Sequence, residues 1–177
     1  NWLNNLGVEV SEVRIIPDKE KFIIKTVNEL RKVYKYIFTT GGIGPTHDDI
    51  TSKSVAKAFK IPYGYHKQAY ELLENYYSPE NFNEGRKKMA KLPITASLIY
   101  NPSSAAPGFI VKNVFCLPGV PSILKSMLGG IAHKLIGGEP LISKTINLRT
   151  VESEIAKSLS DVQNKNKQVD IGSYPFF

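Results

Sequence analysis

The sequence predicts an α/β protein built around a mainly parallel sheet. Strand-like and helix-like segments alternate along most of the chain, as they do in proteins built from βαβ units. The chain has 177 residues, of which 42% are hydrophobic, which is enough for one sizeable core but not for two full domains. A glycine-rich stretch joins a predicted strand to a predicted helix, which is typical of ligand-binding loops in such sheets.

Hydrophobic periodicity places five elements in the first part of the chain. The first is a helix that ends at Leu6, where Gly7 is suited to a left-handed cap. Residues Val8–Ile16 alternate apolar and polar side chains, which predicts a strand, and Pro17 with Asp18 marks its end. Asp18 is then a candidate N-cap of the next helix. The elements that follow are a helix over Lys19–Val33, a strand over Tyr36–Thr40 and a helix over Thr51–Phe59.

The rest of the chain predicts a helical excursion, a hairpin and a return to alternating elements. The excursion consists of helices over His66–Tyr77 and Asn81–Leu92, separated at Ser78-Pro79. Phe109–Val111 and Val114–Leu117 flank Lys112-Asn113, which predicts a β-hairpin. The remaining predicted elements are a helix from Pro121 to Ile136, a strand over Leu141–Leu148, a helix over Thr150–Leu159, an exposed connection at Asp161–Gln168 and a strand over Val169–Tyr174.

Charge, cysteine content and hydropathy limit the classes of partner. The formal net charge is +7, but the lysines are scattered along predicted helix faces, so we expect no nucleic-acid partner. Cys116 is the only cysteine, which excludes an intramolecular disulfide and favours a buried core residue over a nucleophile. No apolar run approaches the roughly 20 residues of a membrane span. We therefore expect a cytoplasmic location and no membrane partner.

The chemically informative residues are concentrated between Thr39 and Thr51, in the stretch TTGGIGPTHDDIT. Its three glycines permit a tight turn and let backbone N–H groups approach phosphate oxygens. The stretch is neither a Walker loop nor a Rossmann fingerprint, so an ordinary structural turn stays open as an alternative. The candidate ligand-binding residues of this loop are Thr39, Thr40, Gly41, Gly42, Ile43, Gly44, Thr46 and His47.

Two carboxylates, Asp48 and Asp49, follow the glycines directly. They would repel a bound phosphate unless a cation lay between them, and a divalent ion such as Mg²⁺ resolves that conflict. The alternative is that one of them caps the helix that begins near Thr51, and both roles can coexist. Asp18 carries the same two interpretations, helix cap or functional carboxylate. For His47 we favour a phosphate-facing donor or loop brace over a general base.

At these residues the sequence resembles the molybdopterin-binding fold, which molybdenum-cofactor biosynthesis proteins share with the N-terminal domain of the competence/damage-inducible protein A family. Two further motifs support the resemblance, Ala106-Pro107-Gly108-Phe109 and Leu117-Pro118-Gly119-Val120-Pro121. Together the three motifs span most of Val8–Ile136. The Thr-His-Asp-Asp form is also similar to the corresponding domain of eukaryotic FAD synthases.

The resemblance implies a three-layer α/β/α domain with a ligand lying across Gly41–Gly44. It adds an opposing wall formed by Pro118, Gly119, Val120 and Pro121. It implies catalytic roles for Asp49, Asp48 and Asp18, with Asp49 and Asp48 as metal ligands. The implied cofactor is a divalent metal, Mg²⁺ or Co²⁺, with molybdopterin as a further candidate ligand. Relatives with this fold form dimers or trimers, which implies a homo-oligomer.

The activity implied for the competence/damage branch is metal-dependent hydrolysis of a nucleotide pyrophosphate such as ADP-ribose or FAD. The cofactor-synthesis relatives instead imply adenylyl transfer to molybdopterin, and a domain that binds a pterin or nucleotide without turnover is a third possibility. The Thr-His-Asp-Asp form favours hydrolysis. In each case the expected partner is a small molecule that contains phosphate.

The resemblance also predicts the domain organisation. Family members carry a first strand and a Gly-Asp-Glu loop ahead of the first helix, whereas this sequence begins partway through that helix. Residues 1–149 are therefore expected to form the molybdopterin-binding-like domain without its first strand. Residues 150–177 are expected to open a small C-terminal domain, because Ile171–Pro175 resembles the start of one.

Overall fold

A computed structural model describes residues 2–139 and 142–175, and the chain divides into two compact units between residues 140 and 141. The helices are α1 (Trp2–Asn5), α2 (Glu20–Leu30), α3 (Thr51–Phe59), α4 (Lys67–Tyr76), α5 (Glu84–Lys88), α6 (Pro121–Leu128) and α7 (Glu152–Lys165). The strands are β1 (Ile37–Thr40), β2 (Tyr63–Tyr65), β3 (Lys91–Pro93), β4 (Ser97–Ile99), β5 (Gly108–Val111) and β6 (Val114–Leu117). Short 3₁₀ helices cover Pro79–Asn81 and Gly129–Lys134.

The first unit is built on a four-stranded sheet in the order β1-β6-β5-β4. Strand β1 runs parallel to β6, whereas β6 with β5 and β5 with β4 pair antiparallel. The α/β class is confirmed, but the sheet is mixed rather than mainly parallel. The predicted hairpin accounts for one antiparallel pairing, because Lys112 takes a φ of 54° and reverses the chain between β5 and β6.

Helices cover both faces of this sheet, which confirms the three layers. On one face, Val27 of α2 and Val55 of α3 belong to the same buried cluster as Phe109 of β5. On the other face, Met127 of α6 belongs to a cluster with Phe115 of β6. Neighbouring side chains along a strand point to opposite faces, so one sheet supplies both cores.

The predicted strand at Val8–Ile16 is wrong, although the helix before it and the left-handed Gly7, with a φ of 66°, are confirmed. Residues 8–16 form no strand in the described structure. They line a groove of ≈ 770 Å³ that also takes in β1, the edge strand of the sheet. Alternating hydrophobicity is present, but a strand also needs a hydrogen-bonding partner.

The helical excursion differs from its prediction at the second helix. Helix α4 lies within the predicted His66–Tyr77, but α5 covers only Glu84–Lys88 of the predicted Asn81–Leu92. The Asn83 side chain accepts the Arg86 N–H at 3.0 Å and thereby fixes where α5 begins. Residues Lys91–Pro93 instead pair antiparallel with β2, a strand that the sequence pattern did not indicate.

Four predictions near the C-terminal end are also wrong. Helix α6 ends at Leu128 rather than Ile136. Two glycines, Gly129 and Gly130, follow Leu128 and disfavour further helix. In the second unit, α7 runs past Leu159 to Lys165 and so occupies part of the predicted connection. Residues 142–148 and 169–174 form no strand, while Leu141 lies outside the described residues. The Gln163 side chain bonds the Val169 carbonyl and the Ile171 N–H, which takes up backbone groups that a ladder would need.

Across residues 2–139 and 142–175, no helix combines the length and the apolar composition needed to cross a bilayer.

We expect Phe109→Ala to lower the free energy of unfolding by about 3–5 kcal/mol, because it leaves a cavity at a fully buried position in the sheet. Tyr100→Ala is the matched control, since this ring is 65% exposed and its loss should cost less than about 0.5 kcal/mol. Urea denaturation of both variants measures the difference. Equal losses would contradict the assignment of Phe109 to the core.

Candidate ligand-binding site

The glycine loop leaves β1 and enters α3, and backbone hydrogen bonds hold it at both ends. The Gly41 N–H donates to the Leu117 carbonyl at 2.9 Å, so the β1 ladder with β6 continues into the loop. Gly41 and Gly42 then take φ angles of 95° and 69°, a left-handed conformation that favours glycine. The Thr51 N–H donates back to the Gly42 carbonyl at 2.8 Å. The turn is therefore tied to both β6 and the first residue of α3.

The Pro118–Pro121 loop lies directly against the glycine loop. Strands β1 and β6 are parallel neighbours, so their carboxyl ends meet at one edge of the sheet. A Cβ atom placed on Gly119 would lie 3.3 Å from the Gly41 Cα, so the two backbones approach closely. Beyond this contact Val120 is half exposed. The structure thus brings together the two loops that the sequence singled out.

Asp49 fastens the loop internally and does not cap α3. Its Oδ2 accepts the Thr46 N–H at 2.9 Å and the Thr46 hydroxyl at 2.6 Å. The N-cap position of α3 is Ile50, which offers no side-chain cap, so the interpretation of an aspartate as the α3 cap is wrong. Gly44 packs against this carboxylate, since a Cβ there would lie 2.7 Å from Asp49 Oδ2.

Both carboxylates of the loop have lowered pKa values. At Asp49, partial burial is the largest influence and raises the pKa, but the Thr46 hydroxyl and the N–H groups of Gly44 and Thr46 outweigh it. At Asp48, which is exposed, the Thr46 side chain contributes most to lowering the pKa, and the backbone N–H of Asp48 adds a weaker effect. The loop therefore carries two ionised carboxylates at neutral pH.

The threonines that precede the glycines differ in their access to a ligand. The Thr39 hydroxyl oxygen is buried. Its contact with the Cys116 thiol weakly lowers the pKa of that thiol. Burial dominates and raises the pKa of Cys116 to about 12, so this thiol is a core group, as predicted. Thr40 is exposed at the end of β1. Of the two threonines, Thr40 therefore has the better access to the site.

Three further predicted residues lie around the loop in different settings. His47 is exposed, and within the described residues no hydrogen bond holds it, so it is not a loop brace. Ile43 packs against the buried core and supports the loop from below. Asp18 is exposed and lines the same groove as Gly41. The N-cap position of α2 is Lys19, without a side-chain cap, so the prediction that Asp18 caps this helix is wrong.

Sequence reasoning missed one residue that contacts the loop, Lys88 at the end of α5. Its Nζ donates to the Thr46 carbonyl and, at 3.3 Å, to the Asp49 carbonyl. The available signal was the run Arg86-Lys87-Lys88, three consecutive basic residues ahead of the buried Ala90. Nothing in that run indicates which loop the lysine reaches, because the contact spans about forty residues of sequence.

A preformed metal cage is not present in the part of the chain that the structure describes. No group of three or more His, Cys, Asp or Glu side chains there is arranged to hold a metal ion. The oxygen ligands nearest the glycine loop in sequence are Asp48 and Asp49. Mg²⁺ is commonly bound by one or two carboxylates together with phosphate oxygens and water, so the residues present fit a metal that arrives with its phosphate ligand.

A sheet whose carboxyl edge presents a left-handed glycine loop, a facing Pro-Gly loop and two ionised carboxylates defines a domain that binds small molecules. The chain belongs to the molybdopterin-binding domain family, because the family model described as "Probable molybdopterin binding domain" matches residues 1–138. A second model, "FAD synthase, middle domain", matches residues 140–177.

Individual relatives support the family assignment. A protein of Archaeoglobus fulgidus is 32% identical over 98% of this chain and 74% of its own length. A competence-damage inducible protein of Clostridium botulinum is 32% identical over 97% of this chain, which spans only 44% of that relative. The crystal structure of CinA from Thermoplasma acidophilum, titled as a protein of unknown function, has a TM-score of 0.67 and 29% identity, covering 72% of this chain and 78% of CinA.

We expect Gly42→Ala to destabilise the protein by about 1–3 kcal/mol, because it forces a left-handed residue to carry a Cβ. The new atom would also lie 2.1 Å from Thr51 Oγ1. Gly129→Ala is the control, since a Cβ there meets nothing within 4 Å. Thermal unfolding compares the two variants. Equal stability would mean that a Cβ at Gly42 does not strain the turn.

The Asp49 carboxylate should contribute a pH-dependent part of the stability. Its folded-state pKa is lowered, so the contribution is complete above the ordinary pKa of about 3.9 and is lost as the pH falls through the lower folded value. Asp49→Asn removes this titration. The difference in unfolding free energy between wild type and variant, measured from pH 6 to pH 2, should therefore become smaller as the pH falls. A constant difference would contradict this contribution of Asp49.

Proposed function

We propose that this chain is the catalytic domain of a metal-dependent hydrolase that cleaves nucleotide pyrophosphates of the ADP-ribose or FAD type. The observation that carries the proposal is the placement of Asp48 and Asp49 immediately after a left-handed glycine loop at the carboxyl edge of the sheet. Such a loop offers backbone donors to phosphate, and the carboxylates add ligands for a cation.

The loop supplies the donors that a pyrophosphate requires. The Gly42 and Ile43 N–H groups donate to no acceptor among the described residues, whereas the Gly41 N–H is used by β6. The first turn of α3 follows, and the N–H groups at a helix start attract anions. A pyrophosphate lying across Gly42 would meet both sets of donors. The facing Pro118–Pro121 loop would limit access from the other side.

A divalent cation would supply the remaining charge stabilisation. Asp48 is exposed and ionised, so it is the better candidate for direct metal binding, while Asp49 is engaged with Thr46. In the proposed reaction, water adds to one phosphorus atom and the P–O–P bridge breaks. The bridging oxygen leaves with the second phosphate, and the proton released from water passes to solvent. ADP-ribose would thus give AMP and ribose 5-phosphate.

The comparisons support a phosphate-rich small molecule and leave the reaction as a proposal. The FAD synthase middle-domain match favours a flavin or adenine dinucleotide. The molybdopterin-binding family match favours a second candidate, adenylyl transfer to molybdopterin, which would use the same loop and metal. Binding of pterin or nucleotide without turnover would need the donors of the loop but not the metal. We expect the active form to be a homo-oligomer, a dimer or trimer.

Phosphorus NMR separates these functions directly. Protein incubated with ADP-ribose or FAD and Mg²⁺ or Co²⁺ should convert the pyrophosphate signals into monophosphate signals, and a chelator should stop the conversion. Shifted signals without products would indicate a binding domain. Products formed only when molybdopterin and ATP are both present would indicate adenylyl transfer. No change in any signal would contradict all three functions.

We expect Asp48→Asn to lower the metal-dependent rate by about 100-fold or more, because it removes one charge from the metal site. Asp161→Asn is the matched control, since Asp161 is an exposed aspartate of α7 in the second unit. Both variants should unfold at the wild-type temperature. A rate for Asp48→Asn equal to that of Asp161→Asn would remove Asp48 from the reaction.

A further inference from the structure

Lys88 forms a contact between the glycine loop and a helix that lies outside the sheet. It is the last residue of α5, and its half-buried side chain extends to the loop. The ammonium donates to the carbonyl oxygens of Thr46 and Asp49, the same two residues whose side chains bond each other. The segment 46–49 is therefore held from within by Asp49 and from outside by Lys88.

The position of Lys88 is fixed by the packing of α5 and the residues after it. Asn83 caps the helix, and the Arg86 guanidinium lies 4.1 Å from the centre of the Tyr77 ring. Ala90 is fully buried, and its carbonyl accepts the His66 N–H at 2.8 Å. Because both ends of α5 are anchored, the Lys88 side chain loses little additional conformational entropy when it contacts the loop.

The charge of Lys88 is used differently from that of its neighbour. The Lys87 ammonium pairs with Glu84 Oε1 at 2.8 Å. Lys88 has no carboxylate within ion-pair distance among the described residues and bonds to carbonyls instead. Its positive charge is therefore not cancelled locally. It lies close enough to the loop to act on Asp48 and Asp49.

We propose that Lys88 is a positioning residue that holds segment 46–49 in its anion-binding conformation and adds positive charge beside the two carboxylates of the glycine loop. The contact with the loop is independent of the reaction, but the identity of the ligand as a phosphate rests on the proposed function. Removing the ammonium would free two carbonyls and let the carboxylates of the loop face the anion without a compensating cation.

Three variants of the full chain test this role, with inorganic pyrophosphate and Mg²⁺ as the probe in isothermal titration calorimetry. Lys88→Met keeps the length of the stem and removes the ammonium, and should weaken binding about tenfold or more, as expected for lost hydrogen bonds to a charged group. Lys88→Arg keeps the charge and can donate to both carbonyls, so it should recover most of the affinity. Lys87→Met loses the same charge from the same helix and should stay within about twofold of wild type.

Salt dependence separates a charge effect from a purely structural one. Wild-type affinity should fall with rising salt, because exposed charges are screened, and Lys88→Met should show a flatter dependence than Lys87→Met. If Lys88→Met unfolds, Lys88→Arg still decides, since a folded arginine variant with wild-type affinity supports the role. A folded arginine variant whose affinity is about tenfold or more below wild type would overturn it.

The outcomes also distinguish this proposal from the hydrolase proposal. Binding of pyrophosphate that depends on Lys88, without turnover of ADP-ribose or FAD, supports the positioning role and contradicts the hydrolase. Turnover with equal pyrophosphate affinities for Lys88→Met and Lys87→Met overturns the positioning role alone. Wild-type protein that neither binds pyrophosphate nor hydrolyses a dinucleotide overturns both.

Discussion

The left-handed turn at Gly41 and Gly42 is the constraint on which the rest of the site depends. The Gly41 N–H completes the ladder by donating to the Leu117 carbonyl, and the Gly42 carbonyl accepts the N–H of Thr51, the first residue of α3. A residue with a Cβ would resist these φ angles, and at Gly42 it would also strike Thr51. The same turn therefore ends a strand, starts a helix and lets the backbone of Gly119 approach. The site and the fold share one piece of backbone geometry.

Polar contacts within the loop explain why its two aspartates, although adjacent, have different roles. Asp49 accepts two hydrogen bonds from Thr46 and packs on Gly44, so its carboxylate is part of the loop structure. Asp48 extends into solvent. A sequence gives both residues the same chemistry. Only the fold shows that Asp49 is engaged within the loop and that Asp48 is exposed.

What the sequence could predict was local, and what it could not predict depended on distant partners. The α3 boundaries, the β5–β6 hairpin and the glycine loop follow from periodicity and turn chemistry within short windows. Val8–Ile16 has the pattern of a strand but no strand partner among the described residues, and both it and the edge strand β1 border an open groove. Lys91–Pro93 pairs with a strand about thirty residues earlier. The cap expected at Asp18 failed because the helix begins two residues later.

The same separation of local from distant effects applies to the site. Its glycines and carboxylates are contiguous, so the sequence indicated them together, whereas Lys88 reaches them from a helix that no motif links to the loop. An irregular excursion between α3 and β4 thereby contacts the glycine loop at the edge of the sheet. The Asn83 cap of α5 and the buried Ala90 after it determine where the Lys88 ammonium lies.

Charge balance gives the physical reason to expect metal dependence at this loop. Asp48 and Asp49 are ionised at neutral pH, and within the described residues Lys88 forms an ion pair with neither of them. A dinucleotide pyrophosphate brings two more negative charges, and each like-charge pair near 4 Å costs about 4 kcal/mol at the effective dielectric of a protein surface. Backbone donors and a helix N-terminus contribute only partial charges. A divalent ion between carboxylate and phosphate replaces repulsion by attraction on both sides. A metal bound in this way would need no cage of three protein ligands, because the phosphate oxygens would complete its coordination.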